Sequence, residues 1–342
     1  MEEVRIISST PRRIEWVDTA KGLGMALVML GHAVLGENIS DWVYSFHMPI
    51  FLFLTGYVFN YDPKLSVKEF ARKKAKGLLV PYLTLSMFNY IFFLLFGRFA
   101  AHQPDNIFMP LIGIFNGIRL VKWNLCNGTM WFVLMLFWTQ LGLFILLRDI
   151  DRKVMQSILV IGCAVMGYVY ATYVHLPLIW SIDVVPITLF FVYAGYLTKQ
   201  KQFDLKLTKW WIVVLAMLLS LLCAWTNTDV ELYKGLYGNL ILFVIGAFAG
   251  IIVLINISKH ISANKMLSYI GKHSIIYLAM HQYIVFSVFR KITNKIYIPN
   301  TEMECLLVSL IWVLLCAIIL IPVCSIIEKY FPFSIGKKKL VK

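Results

Sequence analysis

This sequence is poor in charged residues. Only 15% of its 342 residues are charged, and just 18 are acidic against 32 Lys and Arg. Soluble domains hold about 25% charged and about 45–50% apolar residues, whereas 60% of this chain is hydrophobic and its mean hydropathy is +0.75. The six cysteines include no CxxC pair. These features exclude a soluble enzyme, a disordered chain and a disulfide-stapled secreted domain, and they predict an integral membrane protein.

Long apolar runs, by contrast, recur along the whole chain. A spanning helix needs about 20 mostly apolar residues, and the runs are continuous rather than alternating, which excludes an outer-membrane barrel. Ten stretches qualify: 16–36, 42–60, 78–97, 130–148, 154–174, 178–198, 210–227, 236–256, 268–289 and 304–325. We therefore predict an all-α polytopic membrane protein with about ten transmembrane helices. Residues 15–326 form the predicted membrane domain, between a short N-terminal segment, 1–14, and a basic tail, 327–342.

The distribution of basic residues predicts the orientation of these helices, because cytoplasmic loops are enriched in Lys and Arg. With the N-terminus inside, 24 of the 32 basic residues fall in cytoplasmic segments and 7 in outer ones. Both termini are therefore predicted to be cytoplasmic, in a multi-pass protein of the cell membrane. The net charge of +14 is explained by this topology, so no nucleic-acid partner is expected.

Ionisable residues within a span are costly and are candidates for function. The first span contains Asp18, Lys21 and His32. Lys21 and His32 are eleven residues apart, which on a helix is about 20° past three turns and roughly 16 Å along the axis. They share one face with Asp18, an arrangement that suits a long ligand with an anionic head at Lys21 and a reactive tip at His32. The alternative is a lysine that snorkels to lipid headgroups and a histidine that only packs.

Two further histidines fall within predicted spans. His47 follows the short turn after the first span and is expected at the depth of His32. His281 lies in the ninth span, seven residues after Ser274 and on nearly the same helix face. Histidines at the same depth in the membrane are typical of a proton-handling site, a metal pair or a polar substrate pocket. No third ligand stands at a recognisable spacing, so no metal is expected.

This constellation resembles the membrane-bound acyltransferase family 3, whose bacterial members O-acetylate cell-surface polysaccharides and related glycans. The matching motifs run in the family's order over most of the chain. They are residues 13–22 with 31–32, 46–51 with 56–57, 79–82, 131–132, and 270–274 with 281. Position 21 holds lysine where the common form has arginine, as in shorter single-domain members that resemble sugar O-acetylases.

The resemblance implies transfer of an acyl group, expected to be acetyl from acetyl-CoA, to a hydroxyl of a glycan, an exopolysaccharide or a lipid-linked sugar. His32 is the expected general base, because an imidazole with an ordinary pKa near 6.5 can take the proton of a weakly nucleophilic hydroxyl. Lys21 is expected to hold CoA phosphate and Asp18 to orient Lys21. The other expected CoA-binding residues are Arg72, Lys73, Lys74 and Lys76, and the expected substrate-binding residues are His47, Trp131, Phe132, Ser274 and His281.

Acetyl-CoA is then a co-substrate, no cofactor is expected, and the remaining partners are the glycan acceptor and membrane lipid. Direct transfer and a covalent acyl-histidine intermediate are both open. A proton-coupled transporter or flippase for a glycan precursor fits the same composition. Carriers often have two related halves. The chain differs from such carriers, because the pattern of Lys21 and His32, with ten residues between them, has no second copy. A structural subunit of a polysaccharide-synthesis complex is a third possibility, in which His32 is dispensable.

Overall fold

The computed structural model describes residues 14–97, 106–120, 126–202, 209–262 and 264–337, and these residues are almost entirely helical. Within them the only β pairing is a single bridge between Glu231 and Leu236. The helices are α1 Glu15–His32, α2 Glu37–Tyr57, α3 Val67–Phe96, α4 Met109–Asn116, α5 Trp131–Asp149, α6 Lys153–Tyr173, α7 Val185–Gln200, α8 Trp210–Thr226, α9 Leu240–His260, α10 Lys265–Lys272, α11 Ser274–Met280, α12 Ser287–Ile296 and α13 Glu302–Tyr330.

The all-α membrane architecture predicted from the sequence is confirmed. In the described part of the chain six helices are long and apolar enough to cross a membrane, namely 67–96, 131–149, 153–173, 179–200, 240–260 and 302–330. The run in α8 is apolar but shorter, at Trp210–Thr226. The predicted spans 16–36 and 42–60 fold as α1 and α2, but neither is among the six. The count of ten spans and the cytoplasmic termini stay predictions.

The predicted ninth span, 268–289, is not one uninterrupted α-helix. It divides into α10, α11, a π-helical turn His281–Phe286 and α12. The break between α10 and α11 falls at His273, two residues after Gly271, which packs against α1. The predicted third span begins earlier than 78, because Ser66 and Glu69 form a capping box and the following Lys, Arg and Ala residues favour helix.

Glycines allow two close helix crossings. A Cβ atom at Gly22 of α1 would overlap the carbonyl oxygen of Leu267 in α10, and one at Gly271 would overlap that of Asp18. Gly56 of α2 and Gly195 of α7 make the same kind of crossing between those two helices. Small residues permit such backbone contact within a membrane, and the crossings fix α10 and α7 against the first two helices.

The two ends of the bundle can be distinguished by the helix ends that meet there. We call the end at which α1 begins the near end and the end at which α1 finishes the far end. At the near end the ring of Trp16 meets that of Tyr57 at the end of α2, and Thr19 donates a hydrogen bond to the carbonyl of Ser262 after α9. α1 packs against α2, α9, α10, α11 and α13, so it lies in the interior of the helix assembly.

Candidate functional site

α1 holds the three ionisable residues singled out from the sequence on one continuous helix. Asp18 is 5% exposed, while Lys21 and His32 are half-buried. Asp18 and Lys21 lie beside the crossing with α10, and His32 is the last residue of the helix, at the far end. The helix therefore connects a charged group near one end of the bundle with an imidazole at the other.

His281 is the histidine closest to His32. Their ring centroids are 5.2 Å apart, and Gln282 Nε2 lies 3.3 Å from His32 Nδ1. Both His281 and Gln282 belong to the π-helical turn, in which one residue more than usual is fitted into the turn. Such turns occur frequently at functional sites. Here the turn places two consecutive polar side chains of the broken helix against the end of α1.

His47 is linked to His32 through a tyrosine rather than directly. The ring of Tyr44 lies edge-on to both imidazoles, with centroids 6.4 Å from His32 and 4.9 Å from His47. The Tyr44 hydroxyl donates to the carbonyl of Gly31 at 3.1 Å, which attaches α2 to the end of α1. The expectation that His47 lies near the depth of His32 agrees with this arrangement.

Backbone hydrogen bonds determine which ring nitrogen has the proton in two of the imidazoles. His47 Nδ1 donates to the carbonyl of Val43 at 2.8 Å, and His281 Nδ1 donates to that of Tyr277 at 2.7 Å. In a neutral ring the proton is then on Nδ1, so Nε2 has a free lone pair. His281 Nε2 is buried and has no hydrogen-bond partner within the described residues. It is therefore able to accept a proton or a hydrogen bond from a bound molecule.

Trp131 and Phe132 are the first two residues of α5. Thr129 donates to the carbonyl of Leu278 in α11 at 2.7 Å, and the ring of Phe132 lies 6.0 Å from that of Phe51. Both aromatic residues are buried. These contacts join the start of α5 to α11, which directly precedes His281, and to α2.

The remaining predicted site residues lie elsewhere. Ser274 is half-buried at the break between α10 and α11, a whole α11 length from His281. Arg72, Lys73 and Lys76 are exposed near the start of α3. Lys74 instead turns into the bundle, where its ammonium donates to Gln140 Oε1 and lies 5.3 Å from the centroid of the Phe70 ring.

A buried ion pair near Trp131 was not singled out from the sequence. Arg119, 2% exposed, donates to Asp183, and its guanidinium carbon lies 5.8 Å from the centroid of the Trp131 ring. In the described part of the chain its Nε and Nη1 atoms have no acceptor. Trp180 and Ser181, just before Asp183, both have left-handed backbone angles. Strain of this kind is often found beside functional sites, but sequence periodicity contains no signal for it.

Tyr44 and Gln282 are the other residues that sequence inspection missed. Neither is ionised at neutral pH, so the search for charged groups within spans passes over both. The signal that was available is their position, three residues before His47 and one after His281. Together the group offers two imidazoles with a lone pair on Nε2, an amide and a phenol around His32. It can accept a proton and orient a hydroxyl.

The comparisons with known proteins agree with the motifs. A family model described as an acyltransferase domain, of the acyltransferase 3 type, matches residues 14–329. The matched region includes every helix described above except the last residue of α13. No curated protein and no solved structure matches the chain.

Proposed function

This chain belongs to the acyltransferase 3 family, and from that premise we propose that it transfers acetyl from cytoplasmic acetyl-CoA to a hydroxyl of a cell-surface glycan or a lipid-linked sugar. The family makes it an acyltransferase, and the helices make it a multi-pass membrane protein. The donor, the acceptor and the residues that act on them are the proposal.

The single observation that supports the chemistry best is the group around His32. A half-buried imidazole at the end of α1 lies 5.2 Å, centroid to centroid, from the His281 ring. Gln282 is within hydrogen-bond reach of its Nδ1. The general-base role requires the Gln282 amide in the orientation opposite to the one described above, with its oxygen facing His32 Nδ1; that nitrogen then has the proton and Nε2 is basic. A basic nitrogen held by a neighbouring side chain is what general base catalysis requires.

In the proposed reaction, His32 Nε2 takes the proton of the acceptor hydroxyl as its oxygen attacks the thioester carbonyl carbon. The new carbon–oxygen bond forms, the carbon–sulfur bond breaks, and CoA leaves as a thiolate. The proton on His32 then passes to that thiolate, so the imidazole returns to its neutral state. His281 Nε2, which has a lone pair and no protein partner in the described chain, accepts a hydrogen bond from the acceptor and positions it.

The charged residues of α1 have the donor-side roles in this proposal. Lys21 lies about 16 Å from His32 along the helix axis and interacts with phosphate of acetyl-CoA. Asp18, buried beside the α10 crossing, orients Lys21. Lysine retains the charge of the arginine common in the family but not its bidentate grip on phosphate.

The test is the pattern of acetyl esters on surface glycans, measured by mass spectrometry in cells with the wild-type gene, with the gene deleted, and with His32→Ala. We expect a defined set of acetyl esters to be lost in both altered strains and restored by the wild type. An unchanged acetyl pattern together with altered glycan export would contradict the proposal and favour a carrier. Loss on deletion but not in the His32→Ala strain would contradict the role of His32 alone.

A further inference from the structure

Four side chains from four helices meet at the near end of the bundle, at the opposite end of α1 from His32. Trp16 begins α1, Tyr57 ends α2, Lys199 is close to the end of α7, and Lys259 is close to the end of α9. The Lys259 ammonium lies 5.3 Å from the centroid of the Trp16 ring, and the Lys199 ammonium 5.2 Å from that of Tyr57. The two rings meet edge to face at 5.1 Å. We call these four residues the near-end cluster.

Paired lysines and aromatics are also common at a membrane surface, where they anchor helices in the headgroup region. This chain has such pairs in Lys209, the N-cap residue of α8, with Trp211, and in Lys329 with Tyr330 on α13. Each of those pairs belongs to a single helix, and all four of those residues are exposed. The near-end cluster differs, because it joins four helices and because Trp16, Tyr57 and Lys259 are half-buried, while Lys199 is exposed. Lipid anchoring does not account for a cluster at that position.

The length of acetyl-CoA agrees with the position of the cluster. An extended chain advances roughly 1.2 Å per bond, so the pantetheine arm, of about thirteen bonds from pyrophosphate to sulfur, spans about 16 Å. The axial distance from His32 to Lys21 is also about 16 Å. A thioester at His32 therefore brings the pyrophosphate level with Lys21. The adenosine bisphosphate extends further toward the near end, and Trp16 lies about 7.5 Å beyond Lys21 along the axis.

We infer that the near-end cluster binds the adenosine 3′,5′-bisphosphate part of acetyl-CoA. The inference rests on the proposed use of acetyl-CoA as donor. Adenine stacks on an aromatic ring of the cluster, as bases do on aromatic side chains in other proteins. Lys199 and Lys259, each beside one ring of the pair, interact with the phosphates as point charges. The nucleotide thus fixes the donor at one end of α1 while its thioester reacts at the other.

The experiment uses the purified full-length protein in liposomes, with CoA and free adenosine 3′,5′-bisphosphate as binding probes. A hydrogen bond to a charged group contributes enough that each lysine should account for about tenfold in affinity. We expect Lys199→Ala and Lys259→Ala each to weaken binding of both probes about tenfold, and Trp16→Leu to weaken it as well. Lys209→Ala, which removes the ammonium of an exposed pair at the start of α8, should bind both probes like the wild type.

Transfer from truncated donors separates a nucleotide site from general damage to the protein. Acetyl-pantetheine lacks the nucleotide, so the rate of acetyl transfer from it to ester-free surface glycan should be equal in the wild type and in both lysine variants. Lower rates with acetyl-pantetheine as well, or unaltered binding of CoA by Lys199→Ala and Lys259→Ala, would overturn the inference and leave the proposed function intact. Failure of the wild type to bind CoA would overturn both.

Discussion

The first and last helices of this protein differ in a way that hydropathy does not predict. α13, Glu302–Tyr330, is long and apolar, yet only 28% of its most hydrophobic window is buried inside the protein. α1 carries Glu15, Asp18 and Lys21 in its first two turns and is not among the helices long and apolar enough to span, yet it packs against five other helices. Hydropathy alone does not decide which helices are buried, since α9, Leu240–His260, is almost as apolar as α13 and 56% of its most hydrophobic window is buried.

The difference has a physical cause. Lipid tails are as apolar as leucine, so an apolar helix gains little by leaving them for the protein interior. A charged side chain in a span costs about 2.5–3.5 kcal/mol on insertion scales, and that cost is lowered when neighbouring helices provide polar partners. α1 gains such partners from the broken helix α10–α12 and from α2. Matched substitutions at buried and exposed positions test this difference.

The largest expected effect is on catalysis by His32. His32→Ala should lower acetyl transfer about 10²–10⁴-fold, the range that a general base contributes. The matched control is His175→Asn at an exposed loop position, where asparagine tolerates the left-handed backbone. Rates are measured as CoA released per milligram of inserted protein. Equal rates for His32→Ala and the wild type would remove His32 from the chemistry.

The next effect is on folding, at the crossing of α1 and α10. A methyl group at Gly22 would overlap the carbonyl oxygen of Leu267, whereas one at Gly162 of α6 would meet nothing within 4 Å. Gly22→Ala should therefore cost at least about 3 kcal/mol, the upper part of the range for overpacking, and reduce the amount of folded protein. Gly162→Ala should match the wild type or exceed it slightly. Melting of both variants in detergent gives the comparison, and equal melting temperatures would contradict a close crossing.

A smaller effect is expected on donor binding at Lys21. Lys21→Ala should raise the KM for acetyl-CoA about tenfold by loss of one charged hydrogen bond, while Lys21→Arg, which keeps the charge, should stay within about threefold of the wild type. The measurement is the rate as a function of acetyl-CoA concentration at a fixed glycan concentration. Lys21 would not belong to the donor site if the alanine and arginine variants had the same KM.

The smallest effect concerns the basic start of α3, where two neighbouring lysines differ. Lys73 is exposed and Lys74 is turned toward Gln140. Lys73→Ala should raise the KM for acetyl-CoA about twofold at low salt and not at all at 0.5 M salt, because exposed charges are screened. Lys74→Met should lower the melting temperature and leave that KM unchanged. A large, salt-independent rise in KM for either variant would place its side chain in contact with the donor.

The sequence was sufficient to predict the helical class, the membrane environment and the family, because each follows from composition or from motif order. The shared face of Lys21 and His32 could be predicted too, since α1 is a regular helix. The π-helical turn after α11 could not be predicted, because an added residue in a turn produces no recognisable pattern in the sequence. The contact of Gln282 with His32 and the inward direction of Lys74 depend on partners 250 and 66 residues away in the chain.

The central claim is that His32 acts within a group formed by α1 and the π-helical turn, and Gln282 tests it most directly. Gln282→Ala should lower kcat about 10²-fold, because a misplaced catalytic group costs that much, with the KM for acetyl-CoA unchanged. Gln156 is a buried glutamine of α6 that bonds the carbonyl of Ile150, and Gln156→Ala should change stability but not kcat. A wild-type kcat for Gln282→Ala would contradict the account.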